Sequence, residues 1–477
     1  MKTSSGPPAM GDEATTPKRR RPAEEDEDAG PDLISRLPDD VLGDVVTLLP
    51  APDGARTQAL SRRWRPLWRA APLNLEARVA ASPYERRAAA ALAAHRGPAR
   101  RLALTWDAYS GGFPAIDGWL RSPTLDGLRE LELHYRAPKW FGRAGHNDNP
   151  SPLPLPVLLR FSPTLRLLCV SCDWCRLDIP SAAAADDDAC LVFPHLEQMT
   201  LKGVSIAEGT LHGILAGCPA LRSLVLHYNI GYRRLRIVSK TLQSLSITDG
   251  HRDREGRFEE VIVEDAPLLE RLIPDGLMHD LQIRVIQAPK LKVLGHLYSR
   301  DGISTRVFKG IELVSLSNAL RTVKILALIT GSDLDVVVDL LQCFPCVEKL
   351  YIVAFSGRWP SFNTAQHSNV PLECLDAHLK TLQVTHYKGK PSEVDLVRFF
   401  LSNARVLESI RLAVGVVNCY HKWVATQLKK LRPGTGSASS QGAKIAFEND
   451  RRGSDRVPVE HIHDLSLGDL FDRSVRE

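Results

Sequence analysis

Leu128-Arg129-Glu130-Leu131-Glu132-Leu133 is the phrase that decides the fold, because the chain keeps returning to it. A leucine, two residues, an apolar residue, one residue and another apolar residue recur as Leu165-Leu168-Val170, Leu196-Met199-Leu201, Leu221-Leu224-Leu226 and Leu242-Leu245-Ile247. The series continues through Leu269-Leu272, Leu291-Leu294, Leu320-Val323-Ile325, Val347-Leu350-Ile352, Leu379-Leu382-Val384 and Leu407-Ile410-Leu412. Successive first anchors stand 37, 31, 25, 21, 27, 22, 29, 27, 32 and 28 residues apart. Such spacing, about 28 on average, falls near the top of the leucine-rich-repeat range of roughly 20–29. Arg101-Leu102-Ala103-Leu104 reads as a worn first copy. Alternate residues of a strand point to opposite faces, so the two apolar positions face inward and the residue between them faces out. No single copy can close a core; stacked copies bury a continuous one and form a parallel sheet. Pro163, Pro194, Pro219, Pro267, Pro289 and Pro345 each stand two residues before an anchor, where a fixed φ and a missing donor suit the turn into a strand. The copies at 269 and 291 lose the last apolar site to Pro274 and His296, which predicts a bend or bulge there.

Size and composition bound the rest. At 477 residues the chain exceeds what one hydrophobic core supports, so several units or a repeat array are expected. A net charge of +5, from 61 basic and 56 acidic side chains, gives no concentrated basic surface for coating nucleic acid. No apolar run reaches the roughly 18 residues of a membrane span, and no signal peptide opens the chain. Nine cysteines at this length, with no secretory signal, point to free thiols in a reducing compartment, so the expected location is nucleus and/or cytoplasm. Residues 1–31 bury almost nothing and read as a disordered arm. Within it Lys18-Arg19-Arg20-Arg21 fits a nuclear-import patch, and equally a solvated charge run beside Glu24–Asp28.

Asp32–Leu75, DLISRLPDDVLGDVVTLLPAPDGARTQALSRRWRPLWRAAPLNL, reads as three short helices. Leu37-Pro38 opens the first, with Asp39 and Asp40 in its first turn, where the helix dipole favours negative charge. Val41, Leu42, Val45, Val46, Leu48 and Leu49 cover most of the circumference, more apolar surface than so small a bundle can hide. Asp53 is placed to cap a second helix over 54–60, and Ser61 a third carrying Trp64 and Trp68. Gly43 within the first helix costs roughly 1 kcal/mol against alanine. Pro66 within the third is expected to kink it.

The Leu37-Pro38 opening, the run ending Leu48-Leu49-Pro50 and the word LSRRWRPLWR at 60–69 resemble the F-box. That resemblance implies docking on the Skp-type adaptor of a cullin ubiquitin ligase, through Leu37, Pro38, Val41, Leu42, Val45, Leu49, Trp64 and Trp68. Arg62, Arg63 and Arg65 beside this stripe are placed to steer an acidic adaptor.

Toward the other end, Leu372–Leu375 and His378–Leu382 read as strand-like pieces. Ser392–Asn403 follows as an amphipathic helix capped by Ser392, with Leu396, Phe399 and Phe400 inside. Cys374-Leu375, Leu379-Lys380, Tyr387-Lys388-Gly389, Phe399-Phe400 and Asn403–Leu407 resemble the FBD module, which would cap the array. Gly434–Gly442 reads as a linker, Ile445 and Phe447 as an edge strand, and His461–Leu470 as a segment docking on that cap.

Catalytic constellations are weak. Cys169, Cys172 and Cys175 with His195 mimic part of a zinc set, yet a predicted strand runs through them and no second pair matches. Cys343 and Cys346 have redox spacing, but also fit the repeat. His461-Ile462-His463 has no nearby ligand partners and reads as a tail strand. Phosphate loops and a serine nucleophile elbow are absent. Arg233, Arg234, Arg236, Lys290 and Lys292 would suit an anion only if they lined the concave sheet; polar outward positions explain them as well.

In order, these units resemble the plant F-box/LRR/FBD family. The implied fold is α/β: a three-helix F-box at 32–75, an irregular leucine-rich-repeat solenoid at 76–371, an FBD cap at 372–432, then a linker and tail at 433–477. The implied function is the non-catalytic substrate receptor of a Skp–cullin–F-box ubiquitin ligase, needing no cofactor or metal and binding neither nucleic acid nor membrane. Two alternatives are a ligase-independent scaffold and a small-molecule or inositol-phosphate sensor.

Overall fold

The computed structural model describes residues 33–79, 97–107, 118, 120–136, 160–177, 192–249, 258–274, 281–298, 311–313, 321–330, 334–354, 372–415, 420–431, 442–450 and 456–472. The arm at 1–31, the alanine-rich 85–94, residues 137–156 and 182–188, and the linker up to 441 lie outside them.

Three helices lead: α1 (Asp39–Leu48), α2 (Ala51–Arg56) and α3 (Trp64–Ala70). Leu42, Val46, Trp64 and Ala71 form their core, with Leu67 and Trp68 packed against it. Arg63 ties the bundle together, donating to Asp39 at 2.7 Å and to the Leu37 carbonyl at 2.5 Å. Two capping expectations need correction. Asp53 lies inside the first turn of α2 and pairs with Arg56 at 2.7 Å, while α3 starts at Trp64, with no side-chain cap from Ser61. That start also removes the objection to Pro66. It occupies the first turn of α3, where backbone N–H groups lack helical partners anyway.

A parallel sheet of fourteen strands follows, in the order β1-β2-β3-β4-β5-β6-β8-β10-β12-β14-β15-β16-β17-β18. Its strands are β1 (Leu73–Val79), β2 (Ala99–Asp107), β3 (Glu130–Arg136), β4 (Leu167–Arg176), β5 (Gln198–Ser205), β6 (Ser223–Asn229) and β8 (Ser244–Asp249). Next come β10 (Arg271–Pro274), β12 (Val293–Tyr298), β14 (Ile325–Thr330), β15 (Lys349–Ala354), β16 (Thr381–Thr385), β17 (Ser409–Val414) and β18 (Lys444–Asn449). One buried row runs across it in register: Leu75, Leu102, Leu131, Leu168, Met199, Leu224, Leu245, Leu272, Leu294, Leu326, Leu350, Leu382 and Ile410, with half-buried Ile445 at the edge. These are the middle anchors of the repeated phrase, and the copy at 101–104 belongs to the row.

One copy was framed three residues early. Leu326 and Leu328 pair with Leu350 and Ile352, so the unit reads Val323-Leu326-Leu328, and Ile325 faces the opposite side. Ile325–Ile329 is apolar at every position, so alternation could not fix the register. The bulge expected at the 291 copy is present: β12 slips register between Leu294 and Leu297, and Leu297 takes the inward site that His296 leaves. At the 269 copy the expected irregularity is absent: Arg271–Pro274 pairs with Ser244–Ile247 in unbroken register, with buried Pro274 opposite Ile247.

What returns the chain between strands depends on its place in the array. Repeats toward the two ends use helices: α4 (Glu208–Ala216), α5 (Leu334–Cys343), α6 (Glu373–Ala377), α7 (Pro391–Asn403) and α8 (His421–Leu431). The central ones use strands, β7 (Arg234–Val238), β9 (Glu260–Asp265), β11 (Gln282–Val285) and β13 (Ile311–Leu313), which build a second parallel sheet. A strand rises roughly 3.3 Å per residue against 1.5 Å for a helix, so it spans the same height with half the residues.

In the FBD region Glu373–Ala377 is helical rather than the strand expected, because Cys374 and Leu375 both turn inward beside Leu379. The next helix, α7, is capped at Lys390, not Ser392: the Glu393 carboxylate accepts from the Lys388 and Lys390 N–H groups at 2.7 and 3.1 Å. Leu396 and Phe400 are buried and Phe399 half-buried. Tyr387, fully buried, packs its ring against Trp423 and Phe447 and plugs the end of the core. Among the described residues no helix is long and apolar enough to cross a membrane.

Candidate functional site

Two surfaces have the makings of protein contacts, and the first lies on the helical bundle. The eight residues singled out there separate into two groups. Leu37, Pro38, Val41 and Val45 are exposed. Leu42 and Trp64 fill the bundle's own core and are not available to a partner, while Leu49 and Trp68 are half-buried. On α1 an apolar residue at every turn position hides which side is which. Positions 41, 45 and 48 share one face and 42 and 46 the other, and only the location of α3 tells them apart. Leu48, read as surplus apolar surface but not among those eight, is exposed, and so are Leu33, Ile34 and Leu60, which sequence reasoning left out of the dock. Val41, Val45 and Leu48, exposed together on one face of α1, make the kind of apolar stripe that marks a contact surface.

Trp68 does a different task. It packs against both the bundle core and the solenoid core, and its ring lies where a Gly54 side chain would begin. Asn74 at the start of β1 donates to the Thr47 carbonyl at the end of α1. The bundle is thereby fixed to the first strands of the solenoid. Of the arginines beside it, Arg63 is held by Asp39, leaving exposed Arg62 and Arg65 for steering.

The second surface is the concave side of the large sheet, and it is covered from within the chain. Residues 456–472, including the short helix α9 (Val459–His463), lie across it. Both histidines expected on a tail strand are in this helix, and residues 461–470, expected on the FBD cap, dock on the array, with Asp472 reaching the cap at Arg411. Val457, Ile462, Leu470 and Phe471 pack on Val225, Ile273, Val293, Ile325, Ala327 and Tyr351. His463 bridges the Thr200 and Ser223 hydroxyls at 2.6 and 2.8 Å, and burial pulls its pKa down to about 4. Arg271, itself buried, donates to the carbonyls of Asp464 at 2.9 Å and Leu465 at 3.0 Å, and also to that of Leu467. Asp469 accepts from Lys349 at 2.7 Å and from the Tyr351 hydroxyl at 2.8 Å. Arg411 holds Asp472 at 3.1 Å.

The other candidates dissolve into structure. Arg234 and Arg236 sit on β7 in the back sheet, not the concave one, and each pairs with an acid of β9: Glu260 at 3.5 Å and Glu264 at 2.7 Å. Arg233 pairs with Glu259 and Lys292 with Glu270. Cys172 is in the core and Cys169 faces the opposite side of β4, so the strand separates these two would-be ligands. Burial pushes the Cys169, Cys218 and Cys374 thiols up to about 12, which keeps them protonated. Cys346, Glu373 and His378 converge near the FBD, but Arg321 already donates to both Glu373 oxygens at 3.0 and 2.9 Å. A 280 Å³ groove beside α4 is lined by His212, Arg236 and Ser239 among apolar residues, but these polar groups are engaged within the chain: His212 accepts from the Arg236 N–H at 3.0 Å, Ser239 from the Leu242 N–H at 3.1 Å, and the Arg236 guanidinium donates to Glu264 at 2.7 Å.

Comparison with known proteins agrees with this architecture. Three family models match: the F-box domain over 34–75, the leucine-rich repeats of FBD-associated F-box protein At5g56370 over 116–352, and FBD over 366–412. Relatives from Arabidopsis thaliana span nearly their whole lengths. F-box/FBD/LRR-repeat protein At1g13570 is 24% identical across 80% of this chain and 91% of its own. For F-box/FBD/LRR-repeat protein At4g26340 the identity is 25%, covering 87% of this chain and 100% of the relative. FBD-associated F-box protein At5g60610 is 26% identical over 79% and 98%.

Proposed function

Since the chain belongs to the plant family that joins an F-box to leucine-rich repeats and an FBD module, we propose that it is the substrate receptor of a Skp–cullin–F-box ubiquitin ligase. The observation that carries this reading is the exposed apolar face of the first bundle. Leu33, Ile34, Leu37, Val41, Val45, Leu48 and Leu60 lie open on a unit whose own core is already filled. A second polypeptide covering that face would bury roughly 1,200–2,000 Å² at a standard-sized interface, with a few aliphatic anchors dominating. The Skp-type adaptor is that polypeptide, a cullin follows through it, and the solenoid presents the target. Ubiquitin transfer belongs to other subunits; the protonated thiols and internally paired arginines of the array support a non-catalytic role.

The test is reconstitution. Purified chain mixed with a Skp-type adaptor and a cullin should co-elute as a ternary complex, and a Val41→Asp, Val45→Asp, Leu48→Asp variant should elute alone with its melting temperature unchanged. A variant that still co-elutes would refute the assignment. Residence in nucleus and cytoplasm is part of the same proposal; a reporter fused to residues 1–31 that shows no nuclear enrichment would remove the import role of Lys18–Arg21.

A further inference from the structure

The concave side of a repeat solenoid is where a target would be expected, yet here the chain's own segment 456–472 occupies it. Three features make that segment read as a bound peptide and not a structural element. It contributes no strand to either sheet. Its hold is one of side chains: Arg271 gathers three consecutive-region carbonyls, a contact blind to sequence, while the selective contacts follow at 469–472. There Asp469 meets Lys349 and Tyr351, Asp472 meets Arg411, and the Phe471 ring lies edge-on to His296 at 4.9 Å and beside Tyr351 at 5.7 Å.

Charge is complementary in detail. Asp464–Asp472, DLSLGDLFD, carries three carboxylates and no cation, and the trough offers Arg271, Lys349 and Arg411 around an apolar floor of Ile273, Val293, Ile325 and Ala327. Such pairing sets register and rejects wrong partners more than it adds raw affinity. Lys349 and Arg411 keep about a third of their side chains exposed, so the acidic end sits at the solvent-facing rim from which exchange can begin.

We propose that the trough from β10 to β17 is a peptide-recognition groove for an acidic segment containing an aromatic residue, of the type Asp-Leu-Phe-Asp. The chain's own residues 464–472 occupy it as an intramolecular stand-in that a target segment of the same chemistry displaces. Calling the displacing partner a ligase target rests on the receptor reading above; the groove and its cis occupant do not. Tethering explains how weak contacts suffice: a short connection from β18 holds the segment at high effective concentration, and only a target of equal chemistry presented at higher concentration or with more contacts replaces it.

The experiment uses the full chain without adaptor. A fluorescein-labelled peptide of residues 456–472 is titrated against wild type and against an Asp469→Lys, Phe471→Ala variant, with binding read by fluorescence anisotropy. The wild-type groove is filled and should bind the peptide at least tenfold more weakly than the variant, whose own segment is loosened. Adding Arg271→Glu to the variant should abolish binding, as should placing the same two substitutions in the peptide. Equal binding by wild type and variant, or none by a variant with an intact melting transition, would overturn the proposal. So would collapse of the solenoid in the variant, because the segment would then be a structural strut. Adaptor binding measured in parallel keeps the two readings apart: its loss alone speaks against the receptor role and leaves the groove standing.

Discussion

Replacing Val45 with aspartate should weaken adaptor binding about a thousandfold without disturbing the chain's own fold. Val45 is 42% exposed, with Leu42 and Val46 on the opposite side of α1 in the bundle core. Complete burial of a valine stabilises by about 1.5–3 kcal/mol, so covering the open 42% is worth about 0.6–1.3 kcal/mol. An aspartate there adds the cost of an unpaired carboxylate in an apolar contact, about 3 kcal/mol. Together these come to about 4 kcal/mol, or three decades in Kd at about 1.4 kcal/mol per decade. Isothermal titration with a purified Skp-type adaptor measures the binding, and thermal unfolding of the free chain measures the fold. Gly43→Ala is the matched control. Nothing lies within 4 Å of the added methyl, so the same helix should gain up to about 1 kcal/mol of stability with unchanged adaptor affinity. A Val45→Asp chain that melts normally and binds within threefold of wild type would refute the assignment of this face.

His463 gives a pH signature. The unfolded chain takes up its proton near the ordinary 6.5 and the folded chain only near 4, so stability is complete above 6.5 and declines as pH falls to 4. Glu460 nearby opposes the shift, and the ring's other neighbours, Thr200 and Ser223, are neutral. The loss is at most about 3 kcal/mol, and about half that where solvent reaches the ring; His463→Gln should flatten this part of a melting-temperature profile between pH 8 and 4.5. Gly295→Ala should destabilise by at least about 2 kcal/mol, because φ is +148° and the new methyl would lie 2.5 Å from the Ala327 carbonyl oxygen; urea unfolding reads it. Arg236→Ala should cost under about 1 kcal/mol in the same assay despite its bidentate contact with Glu264, since the guanidinium is exposed and solvent-screened.

The solenoid was legible because its cause is local: strand alternation and the need to stack write themselves into every copy, so Leu131 or Leu382 can be assigned from neighbours a few positions away. Where alternation fails, as in the wholly apolar 325–329, the frame slipped by three residues. The candidate site was less legible. Leu42 and Val45 are equally apolar and three residues apart, and what buries one and exposes the other is the position of Trp64 on a different helix. Arg234 and Arg236 looked available for an anion until the short repeat turned them onto a back strand facing Glu260 and Glu264. The covered trough was the least legible of all. Its contacts join residues such as Thr200 and His463, which are 263 positions apart, and no local pattern records such a pairing.

That separation bears on how the protein is made. During synthesis Val225, Ile273, Val293 and Ile325 leave the ribosome long before Ile462 and Phe471 exist, so the nascent solenoid carries a bare greasy strip along its inner curve. A product cut short upstream of Val457 keeps that strip for its lifetime, as bait for chaperones and for other unfinished copies. Translation through to Phe471 therefore finishes the molecule in a second sense, by closing that strip.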